Sequence, residues 1–222
     1  MRFQDAAKDA RTVVYAGIQA DPLVARAAAL LLEATTAEKV LARAVMNGES
    51  TDPDGWRRAF PTLFGAGADP AIRERAEQIL AASLEVAERG EQVRSQVRGA
   101  LVEELTARLL AKQVPAALVK RERRILFDGV KAEIHPYDVT IERPGASAAL
   151  DCKWGARGIN ADVLHQLDDA RANATAEGEK LTVALVVYDA ARSCKVRLAR
   201  QTAPRSGTGL ITLETLGRLA GR

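Results

Sequence analysis

Cysteine and aromatic residues are both scarce in this chain of 222 residues, and each shortage closes off a class of protein. Two cysteines, Cys152 and Cys194, can build neither a disulfide framework nor a metal-binding cluster. Aromatics make up 4% of the chain, and much of its 47% hydrophobic content is Ala and Leu, a balance that favours helix over strand. No apolar run reaches the roughly 18 uncharged residues that a membrane span needs. The first nine residues are charged and lack the apolar core of a secretion signal, so a reducing cytoplasm is expected. Also missing are a Gly-rich phosphate loop, a Ser-His-Asp pattern and zinc-ligand spacing. What is left is an ordinary globular composition, 27% charged, with a length that allows one domain or two.

The net charge of +3 says little, but its distribution says more. Lys120, Arg121, Arg123 and Arg124 sit together with Glu122 alone against them. Arg192, Lys195, Arg197, Arg200 and Arg205 follow one another with no acid between. Such clusters either neutralise phosphates or form solvated surface.

The first half reads as helical. Residues 3–20 and 22–46 carry Ala and Leu at helical spacing, and Asp21-Pro22 supplies a cap followed by proline at the first helical position. Residues 49–55 read as a loop, 56–60 as a short helix, and 61–68 as a break. Asp69-Pro70 opens a helix or helix pair reaching to about Lys112, with Gly90 and Gly99 as weak points. After Pro115 the grammar changes. Residues 124–127 are a short apolar run ahead of an Asp128-Gly129 turn, and residues 137–142 alternate. Arg143 to Ser147 is a turn, and residues 148–154 form a second strand candidate. Residues 161–176 read as a helix, 180–188 as a buried strand, and 210–213 as a last short strand before a closing helical turn.

Alternation aims three groups at one place. Asp151 and Lys153, two apart, share a strand face, and a hairpin brings Asp138 beside Asp151. Two carboxylates held together repel unless a cation sits between them, and Mg²⁺ takes carboxylate oxygens. A lysine amine there can position or deprotonate an attacking water and stabilise charge developing on a phosphate. An Asp-x-Lys triplet alone is weak; its specificity comes from the upstream acid, the turn, and the flanking helices in fixed order.

That order resembles the PD-(D/E)XK nuclease superfamily, nearest its restriction-endonuclease and Holliday-junction-resolvase branches. The resemblance lies in Gly99-Ala-Leu-Val-Glu103, Pro136-Tyr137-Asp138, Asp151-Cys152-Lys153 and Gln166-Leu167, within residues 92–219; Tyr137 separates the proline from the acid. It implies an α/β restriction-endonuclease-like core with a central mixed four-stranded sheet flanked by helices, and Mg²⁺-dependent cleavage of DNA. Asp138, Asp151 and Glu103 would be metal ligands, Mn²⁺ substituting for Mg²⁺. Lys153 would be the catalytic lysine, and Gln166 would orient the site or contact the nucleic-acid backbone. Glu104 competes with Glu103; the spacing from Gly99 favours Glu103. Residues 92–222 are thus expected to be the nuclease-like domain, and residues 1–91 a helical region for oligomerisation or docking, with a homodimer expected because double-strand cutting commonly needs two sites.

Blander readings stand beside these. Gln166 and Arg157 suit a solvated surface equally, and His165 suits an exposed helix position. His135 has no evident ligand partner, while Cys152 and Trp154 suit core packing. A chain of this fold that binds nucleic acid, or acts as a scaffold, and cuts little or nothing is the competing function.

Overall fold

The computed structural model describes residues 1–6, 10–128, 130–131, 135–201 and 208–221, with residues 10–12 and 130–131 described by backbone only. The expected turn residue Gly129 and the cationic Arg205 lie outside them. Two compact units are present, Ala10–Leu105, and Met1–Asp9 with Thr106–Arg222. The division falls inside a helix rather than between residues 91 and 92.

The first unit is helical. After α1 (Ala10–Gln19), α2 (Pro22–Leu32) starts where the Asp21 carboxylate accepts from the Leu23 amide ahead of a first-position proline. The single helix expected over residues 22–46 is two, because Thr35 begins α3 (Thr36–Asn47). Its hydroxyl accepts from the Glu38 amide, and Glu38 accepts back from the Thr35 amide at 2.7 Å. Asp52-Pro53 repeats the cap-plus-proline signature and opens α4 (Pro53–Ala59) inside the stretch expected to be loop. α5 (Pro61–Phe64) is a single turn, α6 (Pro70–Ala87) starts at the Asp69 cap, and Gly90 precedes α7 (Glu91–Leu110). α6 packs on α2 and α3, burying Leu31, Leu41, Met46, Ile79 and Leu80, each worth about 1.5–3 kcal/mol in water-exclusion terms. Within this apolar contact the fully buried Glu38 carboxylate takes Arg75 Nε at 2.7 Å and Nη2 at 2.9 Å, tying α3 to α6.

The second unit is a mixed sheet, consistent with the expected α/β class but broader than four strands. Its order is β1 (Arg2–Asp5), β2 (Val119–Phe127), β4 (Tyr137–Ile141), β5 (Ser147–Lys153), β6 (Leu181–Val187), β7 (Gly209–Thr212), with β3 (Val130–Lys131) paired to β2 off that path. Residues 3–5 were expected to begin the helix read over residues 3–20, but residues 2–5 are a strand. They form a strand because β2 offers an edge along which Phe3 lies opposite Ile125. β4 and β5 are antiparallel about a four-residue turn in which Ala146 N donates to Arg143 O. Gly145, with φ 73°, takes the position after Pro144 that needs a left-handed backbone. β5 and β6 are parallel, so they need a crossover, and α8 (Ala161–Ala176) provides it. Leu164, Leu167 and Ala174 of α8 share a buried cluster with Ile125, Phe127, Tyr137, Ala149, Val183, Leu185 and Val187. β6 is almost wholly buried, as an apolar strand between two parallel neighbours should be. The basic run after Tyr188 contains α9 (Ala191–Ala199), a helix not anticipated. Among the described residues, no helix is long and apolar enough to cross a membrane.

Candidate active site

Pairing of β4 with β5 runs from Ile141↔Ala148 to Val139↔Leu150, and Asp138 follows at the end of that ladder, on the side of Asp151 and Cys152. There the Asp138 side chain joins the two strands, its Oδ2 accepting from the Cys152 amide at 2.5 Å. The alternation of β5 places Lys153 two residues beyond Asp151, and the Lys153 ammonium forms an ion pair with Asp151 Oδ1. Burial opposes the Lys153 charge, but the Asp138 and Asp151 carboxylates outweigh it and hold the ammonium above its ordinary value. The three groups therefore share one electrostatic environment.

Asp151 is the unusual member. Its side chain is 0% exposed, and apart from the Lys153 ammonium neither oxygen has a hydrogen-bond donor among the described residues. A buried carboxylate lacking such donors is costly, by several kcal/mol. On β2, Glu122 brings a further carboxylate oxygen within 4.8 Å of Asp138. Glu122 has φ 52°, a conformation disfavoured by about 1–2 kcal/mol for a residue with a side chain. On either side of it Arg121 pairs with Val139 and Arg123 with Tyr137. The Lys153 ammonium thus faces carboxylates from two strands. Donor-less buried oxygens beside a second acid fit a divalent cation that takes oxygen ligands.

Lys153 is positioned from behind. A Cβ at Gly158 would lie 2.8–2.9 Å from its Cβ, Cγ and Cδ, too close for the stem to stay in place. Tyr188 N donates to Lys153 O at 2.8 Å, Ala156 N donates to Asp189 Oδ2 at 2.9 Å, and Trp154 stacks on Tyr188 with centroids 4.9 Å apart. Gly158→Ala is expected to overpack this loop and cost about 1–3 kcal/mol, read by urea denaturation.

Gln166 is buried and engages one backbone segment at both ends of its amide. His135 N donates to its Oε1 at 3.3 Å, and its Nε2 donates to His135 O at 3.0 Å. That clamp sets His135 Nδ1 3.8 Å from Asp151 Oδ2. Gln166 thus acts through His135, a residue the sequence offered no reason to single out. Glu122 is the other addition; its only signal was its place across β2 from Asp138.

Glu103 belongs to the helical unit, where Tyr15 Oη and Gln19 Nε2 donate to its carboxylate, the latter at 2.7 Å. Gly99 makes room for this, since a Cβ there would lie 3.1 Å from Tyr15 Oη. Of the two competing helix acids Glu103 is the buried one and Glu104 half-buried. Cys152 is buried with Sγ 3.6 Å from Thr106 Oγ1, and His165 is exposed. Arg123 is bound by Glu142 and Asp5, so the first basic cluster does not present it freely.

The chain matches no family model, no curated protein and no solved structure.

Proposed function

We propose that this chain is a metal-dependent nuclease of the PD-(D/E)XK kind, hydrolysing phosphodiester bonds of DNA. The observation that carries the reading is Asp151. A carboxylate wholly removed from water, short of hydrogen-bond donors, beside Asp138 and balanced by one ammonium, suits a centre built to receive a cation.

Asp138 and Asp151 would hold the ion, with Glu122 near enough to Asp138 to assist. A divalent cation held there supplies Lewis-acid activation and neutralises charge on the phosphate. The chain's own groups do the rest. Because the carboxylates keep Lys153 protonated at neutral pH, its role is to face the negative charge that grows on the non-bridging oxygens as water attacks phosphorus. The bond from phosphorus to the leaving oxygen then breaks, giving a phosphate end and a hydroxyl end. The pair joins a fully buried Asp151 to a partly exposed Lys153, so the interaction is stronger than at an open surface. Gln166 holds the His135 segment over the site.

Incubation with plasmid and branched DNA should give cleavage with Mg²⁺ or Mn²⁺ and none in chelator. Calorimetric titration with Mn²⁺ separates this reading from a nuclease-like chain that binds nucleic acid without cutting. Saturable binding that is lost in Asp151→Asn supports it, and a flat titration of the wild type sinks it.

A further inference from the structure

Apart from the acids, the sheet unit carries a basic groove of about 420 Å³ between α9 and the loop after β5, lined by Ala156, Arg157, Arg192, Ser193, Val196, Arg197 and Arg200. Helical periodicity explains its composition. Positions 192, 193, 196, 197 and 200 recur on one face of α9, so the sequence run of cations becomes a row of guanidinium groups, and Arg157 faces that row from the loop. Lys195, in the same run, does not line the groove.

The row is uncompensated. Among the described residues no carboxylate pairs with Arg157, Arg192, Arg197 or Arg200, and Arg197 spends its Nε on the Ile159 carbonyl at 3.0 Å. Arg192 also sits in the first turn of α9, where the helix dipole disfavours a cation. The Ala191 amide at that helix start is taken, since it donates to both oxygens of Glu214. The guanidinium groups are the cations that an anion in the groove would meet. The volume lies in the range of pockets that take a ligand of nucleotide size. Planar guanidinium forks match phosphate oxygens in pairs, which point ammonium groups do not.

The groove adjoins the acid site through the chain. Its lining residues Ala156 and Arg157 are followed directly by Gly158, which backs the Lys153 stem. We propose that this arginine groove is a binding site for the phosphodiester backbone of a nucleic-acid strand, seating phosphates next to the one that reacts at Asp138, Asp151 and Lys153. The assignment of the reacting phosphate rests on the nuclease reading; the groove's affinity for a strand does not.

The test is fluorescence anisotropy with a labelled single-stranded oligonucleotide, in EDTA so that no cutting occurs, over a series of salt concentrations. Wild type is compared with Arg157→Ala, Arg192→Ala and Arg200→Ala singly and together. All three residues are exposed, and thermal melting checks that the variants stay folded. Each phosphate contact removed should flatten the slope of log affinity against log salt by about 0.7, so the triple variant should lose about 2. Unchanged affinity and slope in the triple variant overturn the proposal. So does equal competition by polyglutamate, which would mark a general acidic-partner surface, or by a nucleoside monophosphate at the same phosphate concentration, which would mark a small-ligand pocket. Arginine-dependent binding in a chain that never cuts would leave the groove standing without the nuclease. Cutting by a triple variant that binds as well as wild type would do the reverse.

Discussion

Lys153→Met is expected to lower DNA cleavage by about 10²–10³-fold and, separately, to destabilise the metal-free protein by about 3–5 kcal/mol. The first effect follows from removing the ammonium proposed to face the growing phosphate charge. The second follows from Asp151, whose fully buried side chain would lose the ammonium that balances it. The two effects separate by a double-variant cycle. Adding Asp151→Asn to Lys153→Met removes the stranded charge and should restore most of the stability while restoring none of the activity. Sign and pH window follow from the same pair. In the wild type the ammonium is held above its ordinary value of 10.5, so its contribution is complete below that pH and is given up only as pH rises through the elevated value. Urea denaturation of the four chains at pH 7 reads the stabilities, and a DNA cleavage assay reads the activities. A Lys153→Met variant that cuts at the wild-type rate would remove the residue from the mechanism.

Arg75→Ala should destabilise the helical unit by about 3 kcal/mol, because it leaves Glu38 charged inside the contact between α3 and α6. Glu38 also accepts from the Thr35 amide and hydroxyl, each at 2.7 Å, so its carboxylate is built into the start of α3 as well. Desolvation pushes the Glu38 carboxyl up, yet the Arg75 and Thr35 hydrogen bonds outweigh it and leave it below the ordinary 4.5. A depressed carboxyl contributes stability that is present above pH 4.5 and lost as pH falls through the lower folded value. The wild type should therefore lose this contribution only below pH 4.5, and the gap between wild type and Arg75→Ala should narrow there. Guanidinium unfolding at pH 7 and pH 3.5 measures both. Equal stability of the two chains at pH 7 would mean that the pair is dispensable to the packing.

What the sequence revealed and what it hid divide along the range of the interactions involved. Asp21-Pro22 and Asp69-Pro70 are legible because a cap and its proline are adjacent. Asp52-Pro53 carries the same signal but sits among loop-forming residues, and Thr35 with Glu38 is a capping box lost inside an Ala-rich stretch. β6 declares itself by an unbroken apolar run, whereas β1 has almost none. Arg2–Asp5 is a strand because of residues 123–126, over a hundred positions away. α9 was concealed by its own cations, with no capping side chain to announce it. At the site, Asp138, Asp151 and Lys153 follow from a period of two. Glu122 does not, since a left-handed residue interrupts the regular geometry of β2, and His135 is brought there by the amide of Gln166.

The discontinuity of the sheet unit has a consequence for biosynthesis. Its strand β1 is translated well ahead of β2, the neighbour it needs, with the whole of residues 10–105 in between. The helical segment, held by contacts of short sequence separation, can therefore condense while Arg2–Asp5 waits. A chain shortened by its first five residues would keep Asp138, Asp151, Lys153 and the arginines of the groove but would uncover the flank of β2. The hazard of such a deletion is strand-to-strand association between copies rather than a missing catalytic group.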